Sequence, residues 1–185
     1  TAGILQPDMQ VVYLLGADEC DLGASGGAFT VYQGSHGDHG AARADVILPG
    51  SAYTEKSVTY VNTEGRAQQT IKAAFAPGEA KEDWTIIRAL SARAGKTLPY
   101  DDLTALRAAM YKTAPQLAAH DTVEARAMSG LGMLAKLSGA LSPEPFVAAI
   151  EDFYLTNPIA RASVVMAGMS ALKANAQKSA LKAAE

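Results

Sequence analysis

Three short apolar runs, each ending in or next to a glycine, constrain the fold of this 185-residue chain more than any other feature. They are VVYLLGA (11–17), FTVYQG (29–34) and DVILPG (45–50). Runs of this length and composition are typical of buried strands, and a short helix fits between the second and the third. We therefore expect an α/β fold with a parallel sheet, in which Asp38 caps a helix over residues 38–44.

The segment that follows the sheet changes its pattern twice. β-Branched and aromatic residues surround NTEG in residues 57–73, which predicts a β-hairpin with Gly65 at positive φ. Apolar residues at helical spacing then predict one helix ending at Gly95 and another running from an Asp101 N-cap to Pro115. Their apolar stripes are Trp84, Ile87, Leu90 and Ala94 in the first helix, and Leu103, Leu106 and Met110 in the second.

Beyond about residue 118, alanine, methionine and small residues dominate. We expect a weak helix over 122–141 and a long C-terminal helix over 160–185. The chain is thus predicted to divide into an α/β part, residues 1–118, and a helical extension, residues 119–185. Met166 and Met169 mark either a partner-binding face of the long helix or ordinary packing.

Composition excludes several classes of function. The formal net charge is −3 and the pI about 5.6, so the chain lacks the basic character of nucleic-acid-binding proteins. A single cysteine, Cys20, rules out an internal disulfide and an iron–sulfur cluster held wholly by cysteines of this chain. No apolar run approaches the roughly 20 residues needed to span a bilayer, so we expect no direct membrane insertion.

Two of the three histidines flank an aspartate in the loop after the second strand, as His36, Asp38 and His39. A zinc site needs three or four converging ligands, and this spacing supplies two more readily than three. The remaining histidine, His120, lies far along the chain. We expect a structural turn here and no metal ligands, although the carboxyl end of a parallel strand is where such sheets bind ligands.

No catalytic constellation stands out in the sequence. Cys20 follows a strand, where a catalytic thiol could sit, but an incidental cysteine is favoured. The chain has no G-x-S-x-G elbow, and GASGGA is not a dinucleotide fingerprint. The charged patch Glu55, Lys56, Glu64 and Arg66 is interpreted as an ion-paired scaffold, and Trp84 as a packing aromatic. We predict no catalytic, cofactor-binding or metal-binding residues in this chain.

A longer pattern carries a resemblance to a known family. HGAARADVILPGSAYTEKSVTYVNTEGRAQ resembles the molybdopterin oxidoreductase superfamily. Together with VYLLGAD, EDWTIIRALSARAGKTLPYD and DFYLTNPIARAS, it looks like the C-terminal part of the large iron–sulfur subunit of respiratory complex I, the NADH:quinone oxidoreductase of bacteria and mitochondria. The similarity covers most of residues 11–118 and returns at 152–163, whereas residues 119–150 match poorly.

The resemblance implies a fragment of a longer subunit, in agreement with the absence of an initiator methionine. It implies 4Fe–4S and 2Fe–2S clusters on cysteine motifs elsewhere in the parent subunit, and a molybdopterin-like domain that has lost its cofactor and serves as scaffold. The implied partners are other subunits of the hydrophilic arm. The implied location is peripheral, on the cytoplasmic face of the bacterial inner membrane or the matrix face of the mitochondrial one.

Two other functions remain open at this point. The chain could be a fragment of an active molybdopterin oxidoreductase, similar to formate dehydrogenase, whose loops touch a pterin cofactor. It could also be a free-standing nucleotide-binding α/β module, although the missing phosphate-binding fingerprint argues against that function.

Overall fold

The structure is a computed structural model that describes residues 8–19, 22–25, 27–123, 129–136, 139, 143, 145, 150 and 152–184. The chain forms two compact units. The first is built from residues 1–56, 72–98 and 150–185, and the second from residues 57–71 and 99–149. The division of the chain at residue 118 stays a prediction.

The first unit contains a three-stranded sheet of β1 (Val11–Leu15), β2 (Phe29–Gly34) and β3 (Val46–Pro49). The strand order is β1-β2-β3 and both pairs are parallel, with Val11 opposite Phe29 and Val31 opposite Val46. Helix α1 (His39–Ala42) connects β2 to β3. The predicted parallel sheet and its short connecting helix are therefore confirmed.

Burial alternates along β1, which differs from the expected burial throughout the strand. Val12 and Leu14 are buried, whereas Val11 and Leu15 are exposed. Because successive side chains of a strand point to opposite faces, the alternation places Val12 and Leu14 on the face that carries the apolar core. Leu22 and Tyr32 complete the buried apolar core on that face.

The first unit also contains several helices. Helix α2 spans Asp83–Arg93. The C-terminal part contains a 3₁₀ turn (Phe153–Leu155), helix α5 (Pro158–Ala162) and helix α6 (Val164–Ala184). The predicted helix over 160–185 is thus interrupted at Ser163, whose ψ of 120° is extended. The two helices that lie between α2 and α5 in the chain belong to the second unit.

The second unit contains the predicted hairpin, with β4 (Thr59–Val61) antiparallel to β5 (Ala67–Gln69). Asn62 organises its turn by accepting hydrogen bonds from the backbone N–H groups of Glu64 and Arg66, both at 3.0 Å. Gly65 has a φ of +86°, as its position in NTEG predicts. The hairpin is therefore confirmed, and its turn requires a residue that tolerates positive φ.

Helix α3 spans Leu103–Thr113, and its N-cap is Asp102, whose carboxylate accepts a 2.8 Å hydrogen bond from Ala105 N. The prediction of Asp101 as the cap was wrong by one residue. Within the expected helix over 122–141, the described residues form helix α4 (Ser129–Leu134). The rest of that prediction lies partly outside the described residues, namely at 124–128, 137–138 and 140–141. The mixed α/β class, the hairpin and the helical C-terminal region are confirmed.

Candidate functional site

The carboxyl ends of β1 and β2 meet at one edge of the parallel sheet, and a buried group of polar residues closes it. Tyr32 is only 2% exposed, and its hydroxyl lies 2.9 Å from Asp18 Oδ2 and 2.6 Å from the carbonyl oxygen of His36. Asp18, also 2% exposed, accepts a 2.8 Å hydrogen bond from Gly40 N through Oδ1. We call Asp18, Tyr32 and Gly40 the edge cluster.

The edge cluster corrects the predicted role of Asp38. Asp38 precedes α1, but its side chain makes no capping hydrogen bond. The carboxylate of Asp18, from the loop after β1, satisfies the N–H of Gly40 in the first turn of α1 instead. A capping oxygen can come from anywhere in the fold as long as it reaches the free N–H groups.

Gly40 is required here because the backbone passes very close to its neighbours. A Cβ atom at this position would lie 2.9 Å from the carbonyl oxygen of Ala17 and 2.9 Å from Asp18 Oδ1. The first of these atoms belongs to the backbone and cannot rotate away. Any larger residue would push α1 off the loop that follows β1.

The electrostatics of the edge are negative. Burial, and then the neighbouring carboxylate of Asp18, raise the pKa of Tyr32 to about 12. Asp38 and Glu19 act in the same direction, because each negative charge disfavours the phenolate. Tyr32 therefore stays neutral and acts as a hydrogen-bond donor at physiological pH.

Arg161 of α5 brings the C-terminal region to the same edge. Its Nε donates a charge-assisted hydrogen bond to Asp38 Oδ2, and its Nη2 lies 3.1 Å from Glu19 Oε1. Its Nη1 donates to the carbonyl oxygen of Leu155 at 3.2 Å. The hydrogen bond from Arg161 lowers the pKa of Asp38 below its usual range. We call Arg161, Asp38 and Glu19 the arginine bridge.

The histidines of the loop do not converge on a common point. The Nδ1 of His36 lies 3.0 Å from the hydroxyl of Ser35. His39 Nε2 is 3.7 Å from Asp38 Oδ1, and its side chain is 76% exposed. In the part of the chain that the structure describes, no three His, Cys, Asp or Glu residues are grouped to hold a metal ion. The absence of metal, cofactor and catalytic residues stays a prediction.

A second buried polar group joins the sheet to α2 within the first unit. Gln33 is fully buried, and its Nε2 donates to Asp83 Oδ1 at 2.9 Å while its Oε1 accepts from the hydroxyl of Tyr13. Lys56 forms a close ion pair with Asp83 Oδ2. Burial, and then the charge of Asp83, raise the pKa of Tyr13. These contacts fix α2 on the sheet.

The four charged residues of the predicted patch have separate roles. Lys56 pairs with Asp83, and Glu55 accepts a 2.9 Å hydrogen bond from Ala52 N, both within the first unit. In the second unit, Arg66 Nη2 lies 3.6 Å from Glu64 Oε2. The scaffold interpretation agrees with these contacts, although the residues do not form one ion-paired patch.

His120 belongs to a polar group on the hairpin of the second unit. Its Nε2 lies 3.0 Å from the hydroxyl of Tyr111 and 3.0 Å from Gln69 Nε2. Gln69 also donates to the Tyr111 hydroxyl at 2.7 Å. These contacts tie β5 to α3, and they give His120 a structural role.

The remaining residues that the sequence singled out have three different outcomes. Trp84 is half-buried, and its Nε1 donates to Glu82 Oε2 at 3.1 Å, which fits a packing role. Met166 and Met169 lie exposed on α6. Cys20 lies outside the described residues.

Sequence reasoning missed the residues that organise the edge, namely Asp18, Tyr32 and Arg161. For Asp18 a signal existed, since an acidic residue in the loop after a strand is well placed to bond the next loop. Arg161 is 123 residues away from Asp38, and no local pattern connects them.

None of the helices in the described residues combines the length and the apolar character that crossing a membrane would require.

Comparison with known proteins identifies the relatives of both parts of the chain. Residues 2–93 match the molybdopterin oxidoreductase family, and residues 122–169 match the family of the C-terminal region of the NADH-ubiquinone oxidoreductase G subunit. The mitochondrial 78 kDa subunit of NADH-ubiquinone oxidoreductase from Neurospora crassa is 46% identical over 178 residues, which is 94% of this chain and 24% of that protein.

Two further relatives have similar names and similar identities to this chain. The 75 kDa subunit of NADH-ubiquinone oxidoreductase from Reclinomonas americana is 48% identical over 87% of this chain and 23% of its own length. The mitochondrial NADH dehydrogenase iron-sulfur protein 1 from Solanum tuberosum is 48% identical over 87% of this chain and 22% of its own length. The chain spans about a quarter of each of these relatives. With two family matches along its length and these identities, the chain belongs to the family of the large iron–sulfur subunit of complex I, within the molybdopterin oxidoreductase superfamily.

Proposed function

We propose that this chain is a non-catalytic structural portion of the large iron–sulfur subunit in the peripheral arm of complex I. The whole enzyme would pass electrons from NADH through iron–sulfur clusters to quinone and couple this to proton translocation. The partners of the chain would be other subunits of the hydrophilic arm. Relatives named as mitochondrial proteins support a place on the matrix face of the inner membrane, or on the cytoplasmic face in a bacterium.

The observation that carries this proposal is the closure of the sheet edge by the chain's own residues. Parallel α/β sheets bind ligands beyond the carboxyl ends of their strands. Here Tyr32 and Asp18 fill that position between the loops after β1 and β2, and both are almost fully buried. Such an arrangement supports packing of the edge more than binding at it.

The residues present do not fit the cofactor of the superfamily. A pterin dinucleotide carries negatively charged phosphates, which favour helix N-termini and cationic side chains. At this edge Asp18, Glu19 and Asp38 supply three carboxylates, and the guanidinium of Arg161 is already engaged by two of them. Burial, and then the charges of these carboxylates, raise the pKa of Tyr32. Bound phosphates would meet repulsion there.

Iron–sulfur clusters likewise depend on residues that this chain does not supply. Clusters are held mainly by cysteine thiolates, and the sequence has one cysteine. The iron–sulfur character that the name of the Solanum tuberosum relative records would then belong to other parts of the parent subunit. This chain would support those clusters by rigid packing.

The proposal is tested with Asp18→Ala in the whole complex, because the carboxylate of Asp18 holds both Tyr32 and Gly40. We expect less assembled complex, with NADH:quinone activity per assembled complex and the paramagnetic resonance spectra of the clusters unchanged. His36→Ala is the matched control, since it keeps the backbone carbonyl that faces Tyr32 and should leave both yield and activity intact. A full yield of complex with impaired electron transfer in Asp18→Ala would contradict a structural role.

A further inference from the structure

We propose that the groove between β3 and α2 binds an extended segment of another protein subunit, apolar in its middle and acidic towards both ends. The inference rests on the proposed function in placing that subunit within complex I. Its basis, in the part of the chain that the structure describes, is an open strand edge, an apolar groove beside that edge, and two cations in the groove that have no carboxylate partner.

Strand β3 is an outer strand of the parallel sheet, and its outer side is open. Directly before β3, Asp45 N donates to Thr30 O at 2.9 Å, so the amide of residue 45 points towards β2. Alternate residues of an extended strand direct their backbone groups to opposite sides, so Val46 and Leu48 present theirs to the open side. None of the described strands pairs with β3 there. Such an edge is a template for a further strand.

The contact of Lys81 with the sheet shows that this edge accepts parallel pairing. Lys81 forms a parallel bridge with Gly50, just beyond the end of β3. Its N–H donates to Pro49 O at 3.1 Å, and its carbonyl oxygen accepts from Ser51 N at 2.8 Å. The bridge is isolated, and a turn at residues 77–80 precedes it. The pairing therefore stops after one residue and leaves the edge of β3 itself open.

The groove beside this edge is mainly apolar. It has a volume of about 370 Å³, and its apolar lining comes from Leu48 of β3 and from Ile86, Ala89 and Leu90 of α2. Positions 86, 89 and 90 are three and four residues apart, which places them on one side of the helix. Leu90 is 44% exposed. A strand added to β3 would lie about 4.8 Å from it and would turn alternate side chains towards this lining.

Two cations determine the chemistry of the occupant. Lys81 and Arg93 both line the groove, the first just before α2 and the second at its last residue. Both residues are exposed, and neither pairs with a carboxylate among the described residues. Electrostatic complementarity therefore calls for acidic residues on the occupant, one near each cation.

The length of α2 gives the spacing of those acidic residues. Its 11 residues make it about 16 Å long, because each helical residue adds about 1.5 Å. An extended segment covers that length with about five residues. The occupant should therefore carry two acidic residues about five positions apart, with apolar side chains between them.

The place of β3 in the sheet favours another subunit as the source of this segment. Consecutive strands of one chain usually pair with each other. Because β1 and β3 lie at opposite edges, strands from an earlier part of a longer parent chain would add at β1. The edge of β3 then remains available to a different chain.

A photo-crosslinking residue in place of Leu90, introduced into the intact complex, tests this inference. Ala92 is the matched control, because it is exposed on α2 and two residues along a helix correspond to about 200° of rotation. We expect Leu90 to give an adduct with a peptide of another subunit in which acidic residues flank apolar ones, and Ala92 to give little. Lys81→Glu and Arg93→Glu should each reduce the Leu90 adduct about fivefold, whereas Lys96→Glu, outside the groove lining, should preserve it.

Amide exchange in the assembled complex distinguishes a bound strand from a bound helix. A strand on this edge would accept hydrogen bonds from the backbone N–H groups of Val46 and Leu48. In Lys81→Glu these two amides should therefore exchange about fivefold faster than in the parent complex, and in Lys96→Glu at the parent rate. Unchanged exchange in Lys81→Glu would contradict strand addition.

Adducts from Leu90 to lipid, to a basic peptide or to an earlier part of the same subunit would overturn the inference. Equal adducts from Leu90 and Ala92, or none from either, would overturn it as well. Adducts with an acidic segment of a protein outside complex I would uphold the docking surface and contradict the proposed function instead.

Discussion

The edge cluster and the arginine bridge lie at the same end of the sheet but differ in burial and in sequence separation. Asp18 and Tyr32 are each 2% exposed and join residues at most 22 positions apart. Arg161 and Asp38 are 123 positions apart, and their side chains are about one-fifth exposed, at 20% and 22%. Removing one partner of a buried hydrogen bond leaves the other unsatisfied and is costly, whereas partly exposed ion pairs contribute little. The edge cluster thus stabilises the sheet, and the arginine bridge positions the C-terminal helices.

The largest effect should come from Gly40→Ala, which places a methyl group against the Ala17 carbonyl oxygen. We expect a loss of about 1–3 kcal/mol in local stability, as for other overpacked sites. Hydrogen–deuterium exchange of the β2 amides in the full-length protein measures it. Gly37→Ala is the control, because its Cβ would meet only Ala41 Cβ at 3.4 Å. Equal exchange rates in the two variants would contradict the close packing described for α1.

A smaller effect is expected in the hairpin, which belongs to the second unit. Gly65→Val forces a β-branched residue to a φ of +86°, although no atom lies within 4 Å of its Cβ. The cost should be about 1–2 kcal/mol, seen as faster amide exchange in β4 and β5 and a lower yield of assembled complex. Gly65→Asn should lose less stability than Gly65→Val, since asparagine tolerates positive φ. Unchanged cluster potentials in Gly65→Val would agree with a structural role.

The edge cluster should also show a distinct response to alkaline pH. The pKa of Tyr32 is raised from its ordinary value of 10.0 to about 12, so its contribution is present below pH 10 and is lost as the pH rises toward 12. Amide exchange in β2, corrected for its intrinsic pH dependence, should accelerate in that window. Tyr32→Phe should remove this step, and an identical alkaline profile in both proteins would argue against the buried hydroxyl.

The arginine bridge should respond to acid, with the smallest effect of the four. The pKa of Asp38 is lowered, so its contribution is present above the ordinary range of aspartate, near pH 4, and is lost as the pH falls through the lowered value. Exchange of the α5 amides should be faster at pH 3 than at pH 7 after the same correction. In Arg161→Gln the α5 amides should already exchange fast at pH 7. In Arg161→Lys their exchange rate should lie between those of Arg161→Gln and the parent protein. If Arg161→Gln matched the parent at pH 7, the bridge would not position α5.

Local signals predicted most of the fold, and distant contacts accounted for what was missed. The glycines that close the three apolar runs and the NTEG turn located the sheet and the hairpin, because each depends on neighbouring residues. The predicted role of Asp38 was wrong, because the contacts that decide it come from elsewhere in the chain. Asp18 accepts the hydrogen bond from the first turn of α1, and Arg161 pairs with the carboxylate of Asp38. The interruption at Ser163 also escaped prediction, since alanine-rich sequence on both sides favours helix.

The central claim is that this chain supports redox centres of complex I while holding none itself. Quantitative analysis of molybdenum, tungsten and pterin in the purified complex tests it most directly. The account predicts neither metal and no pterin in stoichiometric amount. One molybdenum or tungsten atom per complex, lost together with pterin in an Asp38→Ala variant that still assembles, would contradict it.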